Sequence, residues 1–120
     1  MDGEPESNLV LVLGAWLAAL SSGNAEPIAR ILHPDVAWDG PHPWQSCRGR
    51  EEAVGFLSRG ISRQRRITSL RAHVSGDDVV ATAEGPDFVD IGPDGEETPR
   101  PSATLTLTVR DGLVVRMKGA

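Results

Sequence analysis

The sequence has 120 residues, of which 39% are hydrophobic and 24% charged, with a formal net charge of −5. These values predict one globular domain, residues 1–120, with a single core. Twelve basic residues against seventeen acidic ones leave no footprint for a phosphate backbone, which argues against a nucleic-acid partner.

In chain order, residues 1–7 read as an acidic, frayed tail. Ser7 or Asn8 caps a first helix in which Leu9, Val12, Leu13, Trp16, Leu17 and Leu20 recur at helical spacing. Ser21-Ser22-Gly23 stops it. A short helix fits Glu26 to Leu32, with Pro27 tolerated in its first turn. His33-Pro34-Asp35 reads as a turn before a short strand, Val36-Ala37-Trp38, which Gly40, Pro41 and Pro43 break. A third helix fits Glu51 to Arg63, with Ala53, Val54, Phe56, Leu57 and Ile61 apolar. Arg63, Arg65 and Arg66, the only basic cluster, read as its solvated end.

The second half changes period. Residues 67–74, 78–84, 103–110 and 113–118 read as four strands. Thr104, Thr106 and Thr108 alternate with Leu105, Leu107 and Val109, a clean period of two. Asp111-Gly112 is a strong hairpin signal and Ser75-Gly76-Asp77 a second turn. The run from Gly85 to Pro101, rich in Gly, Pro and acid, reads as a partly mobile loop. Helices first and an antiparallel meander afterwards argue for an α+β fold.

Cys47 is the single cysteine, so no intramolecular disulfide forms. The acidic N-terminus lacks a signal peptide's basic residues and cleavage site. The longest apolar stretch, Leu9 to Leu20, falls short of the roughly 20 residues a membrane span needs. A cytoplasmic protein with no membrane partner is therefore expected. Arg predominates over Lys, and Ala and Gly are abundant, the usage of a GC-rich bacterial genome.

Four segments carry a resemblance: Ala15 to Asn24 (AWLAALSSGN), Ile31 to Pro41 (ILHPDVAWDGP), Cys47 to Val54 (CRGREEAV) and Asp111 to Arg116 (DGLVVR). In this order they resemble the SnoaL-like and ketosteroid-isomerase-like members of the nuclear-transport-factor-2-like superfamily. The resemblance implies a cone: a curved mixed or antiparallel sheet packed on three N-terminal helices, a cystatin-like roll around an apolar pocket. It also implies a homodimer and a hydrophobic, polyketide- or steroid-like ligand. The reactions of such proteins include isomerisation, cyclisation and hydration, and some members only bind ligands, so the fold does not fix the reaction.

The isomerase machinery itself is missing. The helix position that holds a tyrosine donor in the resembling enzymes is Trp16 here. The catalytic aspartate's position is Gly40, with Asp39 one residue earlier. The second acidic donor falls around Thr104 to Thr106, where no acid stands. A one-residue offset flips a strand side chain to the other face, unless a bulge near Gly40 restores it.

Candidate acid–base residues are Asp39, His42 and His73. Asp39 and His42 read either as turn and loop residues or as a base and its partner. His73 faces either solvent or the cavity. Asp87 and Asp90 flank Phe88-Val89 in a segment too irregular to phase. Trp16, Trp38, Trp44, Phe56 and Phe88 are the candidate ligand-binding residues, Trp44 as a lid. Nothing in the sequence sets a base beside Cys47 or buries Lys118, the sole lysine. Three scattered histidines and one cysteine lack metal-ligand spacing, and no cofactor is expected. Two readings stay open: a pocket enzyme of isomerase, cyclase or hydratase type, or a non-catalytic ligand-binding or dimerisation module.

Overall fold

The first helix begins earlier than its apolar pattern. In the computed structural model, which describes residues 4–40, 42, 46–63, 68–86, 88–100 and 102–119, α1 spans Glu4–Ser22. The expected tail is thus helical from Glu4 onward. Pro5 falls in the first turn, where its missing N–H has no helical acceptor to lose. Acidic Glu6 complements the positive end of the helix dipole. Trp44, Arg65, Arg66, Ile67 and Asp87 lie outside the described residues, as do residues 1–3.

The buried face of α1 is carried by Val12, Ala15 and Ala19, with Leu9, Leu11 and Trp16 packed against the core. Leu17, expected in the apolar stripe, is 52% exposed, and Val10 is 70% exposed. The segment is apolar almost all round, so periodicity alone does not set its phase. Alanines let the helix approach the sheet closely. The helix ends as expected: the N–H groups of Gly23 and Asn24 both bond to the Ala19 carbonyl, at 2.8 and 3.2 Å, closing the last turn.

Helix α2 is Glu26–Ala29 and α3 is Arg50–Arg63. Between them, β1 runs Leu32–Asp39 and β2 Ser46–Arg48. The expected turn at His33-Pro34-Asp35 lies inside β1. It is absorbed by a register shift between Leu32 and Ala37, the kind of irregularity that accommodates a proline in a strand. Strands β3 (Ser69–Ser75), β4 (Asp78–Glu84), β7 (Ser102–Arg110) and β8 (Leu113–Gly119) match the period-two runs. The Gly85 to Pro101 segment, read as a loop, forms a ribbon of β5 (Val89–Ile91) and β6 (Glu97–Pro99). Asp111 and Gly112 both take positive φ, 52° and 77°, as a two-residue hairpin turn requires.

The main sheet has six strands in the order β2-β1-β8-β7-β4-β3. It is mixed, because β1 pairs parallel with β8 while the other neighbours are antiparallel. Helix α3 packs on β1 and β2, and α1 on β3 and β4, so both cover one face of the curved sheet. One cross-strand row spans that concave face: Cys47, Trp38, Met117, Leu107, Val79 and Val74. All but Val74 are buried. The chain is α+β with three helices on a curved mixed sheet, as the sequence implied.

Two glycines make opposite predictions. Gly49 precedes α3 with φ of +90°, and its N–H bonds to the Val36 carbonyl at 2.8 Å. Gly14 lies mid-α1, exposed, with open space where a Cβ would stand. Gly49→Ala is expected to cost about 1–2 kcal/mol through left-handed strain. Gly14→Ala is expected to gain about 0.5–1 kcal/mol from helix propensity. Urea unfolding of both variants checks the signs.

Candidate functional site

Strand alternation divides the sequence's candidates between two faces. Trp38 points to the concave face and is 7% exposed. Asp39, its neighbour, therefore points the other way. The bulge in β1 lies before Ala37, so nothing between Trp38 and Asp39 restores an inward direction. A second row runs across the outer face: Ser46, Asp39, Lys118, Thr106, Val80 and His73. Asp39 and His73 thus share the outer row, and His73 is exposed beside Arg71 and Ser75.

Asp39 is tied to Arg48, whose Nη2 donates to its Oδ1 at 3.1 Å. The same guanidinium donates through Nη1 to the carbonyls of Trp38 (3.1 Å) and Cys47 (2.9 Å). Arg48 thereby staples β1 to β2. This is a structural use of Asp39.

His42 has a different partner. Its Nε2 lies 3.0 Å from Oδ2 of Asp90, and the two side chains are 35% and 37% exposed. Topology explains how residues 48 positions apart meet. The loop after β1 leaves the sheet at the end where β4 stops and β7 starts. The β5–β6 ribbon is inserted between β4 and β7, so it rises from that same end. Asp90 lies in the segment whose irregular sequence gives no phase. The clue was its spacing from Phe88: two residues apart in an extended chain, both side chains lean to one side, and Phe88 is buried.

At this end the concave face carries smaller side chains. Next to the row containing Trp38 stand Gly119, Leu105, Ala81 and Ala72 in register, followed by Ala103, Ala83 and Leu70. Trp38 packs against Phe56 of α3, with ring centroids 5.2 Å apart and planes tilted by 41°. Trp16, on α1, is partly buried against the core. The indole Nε1 of Trp38 is buried and has no hydrogen-bond partner among the described residues. Concave apolar surface, few polar groups and a histidine–carboxylate pair at one end make a site suited to a hydrophobic ligand with a proton-transfer group nearby.

Cys47 sits in the same row as Trp38. Burial pushes its thiol above the ordinary value of 9.0, and the Glu52 carboxylate adds to this, while Arg59 and Arg48 pull part of the way back. Such a thiol is a poor nucleophile. Among the described residues, no group of three or more His, Cys, Asp or Glu side chains is placed to hold a metal. No helix among them is long and apolar enough to cross a membrane.

Two measurements follow. A raised thiol pKa favours the protonated, folded state, so its contribution holds below about pH 9 and is lost as pH rises through the folded value. Stability should therefore fall above pH 9 less steeply in Cys47→Ala than in the parent, and iodoacetamide should alkylate the folded thiol roughly tenfold more slowly than free cysteine. For the half-exposed His42–Asp90 pair, a double-mutant cycle with His42→Ala and Asp90→Ala should give a coupling below about 1 kcal/mol that shrinks with salt.

Comparison with known proteins agrees with the architecture. The chain is 29% identical over 123 residues to the ECF RNA polymerase sigma factor SigJ of Mycobacterium tuberculosis, a match covering 95% of this chain. It spans only 38% of that protein's length. Among solved structures, Bal32a from a soil-derived mobile gene cassette aligns with a TM-score of 0.71 at 18% identity, covering 98% of this chain and 90% of that one. TerC, co-crystallised with polyporic acid, aligns with a TM-score of 0.65 at 21% identity, covering 94% and 89%. Residues 13–117 match the SnoaL-like domain family, and with the helix-covered curved sheet this places the chain in that family.

Proposed function

We propose that the chain is a small-molecule pocket protein for a hydrophobic, ring-containing ligand, and that His42, oriented by Asp90, is its acid–base group. The observation that carries this reading is the His42–Asp90 pair at 3.0 Å, at the small-residue end of an otherwise apolar concave face. A carboxylate that accepts from one imidazole nitrogen orients the ring and fixes which nitrogen carries the proton. Trp16, Trp38, Phe56 and Phe88 supply the apolar walls in this reading. Isomerase, cyclase and hydratase steps all need such proton transfer next to a carbonyl or leaving oxygen. The polyporic acid bound to TerC, a protein of like fold, is a cyclic ligand of the expected kind.

Asp39 and His73 take no part in this proposal, because their outer row lies across the sheet from Trp38. The steroid-isomerase constellation is not rebuilt either, since among the described residues no other acid takes the place of the missing donors and the sequence has no tyrosine.

A second reading has its own observation. One relative that the chain matches is a sigma factor, and the match covers a minority of it. A module of this fold within a larger regulator binds a ligand or a partner without turnover. The outer face suits self-association. Thr82 and Thr104 hydroxyls pair at 3.2 Å and Thr108 donates to Asp78 at 2.8 Å, which leaves their methyls and Val80 to meet an apposed sheet.

An enolisable cyclic ketone separates the readings. With 2-tetralone in D2O, the pocket-enzyme reading expects α-deuteration, followed by proton NMR, well above the buffer rate and at least tenfold slower in His42→Ala. Binding by calorimetry with exchange at the buffer rate selects the non-catalytic module. A native mass of twice the chain, returning to one chain in Thr106→Arg, supports association through the outer face.

A further inference from the structure

The main sheet ends in two unlike edges. At one end stands β2, three residues long. At the other stands β3, seven residues long and paired to β4 without a break from Ser69↔Glu84 to Ser75↔Asp78. The two-residue turn Gly76-Asp77 closes on the Ser75–Asp78 pair, and such a turn sits on a hydrogen-bonded pair. By alternation, Ser69, Arg71, His73 and Ser75 then bond to β4 through their backbone groups. The N–H and C=O groups of Leu70, Ala72 and Val74 point to the open side. Among the described residues, no backbone bond outside the β3–β4 ladder reaches them.

An open ladder recruits another strand, and long edges are blunted by proline, lysine, a bulge or an inward-pointing charge. Residues 69–75 (SLRAHVS) contain no proline or lysine, and their register with β4 is unbroken. The inward residues are Leu70, Ala72 and Val74, all apolar. Arg71 points outward, and its charge is answered by Glu84 at 2.8 Å.

We propose that β3 is a docking edge for a second copy of this chain, paired antiparallel about a two-fold axis at Ala72. The edge's own sequence selects a second copy as the occupant. About Ala72, antiparallel pairing sets Leu70 against the second copy's Val74, Ala72 against the second copy's Ala72, and Ser69 against the second copy's Ser75. Apolar groups meet apolar groups and hydroxyls meet hydroxyls. On the outer face Arg71, a pure donor, meets the second copy's His73, whose neutral ring holds an acceptor nitrogen. A contact of this kind closes at two copies. It uses the strand edge and is separate from association through the outer face. An edge of this length spans about 23 Å. It falls short of the roughly 1,000 Å² of a stable interface, so the dimer is weak, micromolar rather than nanomolar.

Sedimentation equilibrium of the intact chain from about 5 to 500 µM should show a monomer–dimer equilibrium. Ala72→Pro removes a donor from the open side and none from the β4 ladder, and should weaken the dimer about tenfold or more. His73 is exposed and outward, so its variants test the register without disturbing the core. His73→Arg sets like charges opposite each other and should weaken the dimer about fivefold, whereas His73→Glu should strengthen it by about as much. Thr106→Arg should leave it unchanged. Should Ala72→Pro not fold, amide hydrogen exchange in the parent serves: protection of Leu70, Ala72 and Val74 should rise with protein concentration. A monomer at every concentration overturns the proposal. So does a dimer that survives Ala72→Pro, responds alike to both His73 variants or dissociates in Thr106→Arg, and so does protection of those amides that ignores concentration.

Discussion

Everything in this molecule is organised by one apolar row that crosses all six strands of the main sheet. Cys47, Trp38, Met117, Leu107, Val79 and Val74 lie side by side in register order. Burying such a row stabilises each strand pairing at once, because every member has a neighbour on the next strand and helices pack over both ends of the row. It also dictates the parallel pairing of β1 with β8, since that register sets Trp38 against Met117. The helices follow: α3 covers the Trp38 end and α1 the β3–β4 end.

Once that row faces the helices, alternation leaves no freedom for its neighbours. Asp39 and His73 must emerge on the outer face, and both belong to the same outer row as Lys118 and Thr106. The sequence already contained this result for Asp39, since Trp38 is large and apolar and a strand period of two is rigid. For His73 the same argument applied, with Leu70, Ala72 and Val74 marking the inner phase. A bulge after Trp38 was the one device that could have reversed Asp39. The irregularity in β1 instead sits at the proline, where a ladder N–H is missing, so its effect falls on His33 to Asp35.

How much was legible depended on whether the information was local. The Asp111-Gly112 turn, the four long strands and the Gly23 helix stop are set by a few adjacent residues, and each could be read directly. The phase of α1 was not legible, because a helix apolar on every side gives no stripe; Ala15 and Ala19 won the buried face over Leu17 through close packing. Strands β2, β5 and β6 are three residues each. Segments this short carry almost no period and form because a neighbour is present to pair with. The His42–Asp90 contact is the extreme case. It depends on two connections leaving the same end of a sheet, a property of topology that neither sequence segment encodes.

The site then has an asymmetry that follows from the same row. Toward the end carrying Leu32, Val114 and Val109, the concave face is filled by buried branched side chains. Toward the other end, Gly119 and four alanines stand among Leu105 and Leu70, and the His42–Asp90 pair lies at that end of the sheet. The half of the face filled by branched side chains supplies the burial that holds strands and helices together. Trp38, tilted against Phe56 of α3 with ring centroids 5.2 Å apart, carries that packing to the row where Gly119, Ala81 and Ala72 begin. One large side chain thus marks where close packing of the face by bulky residues gives way to its small-residue half.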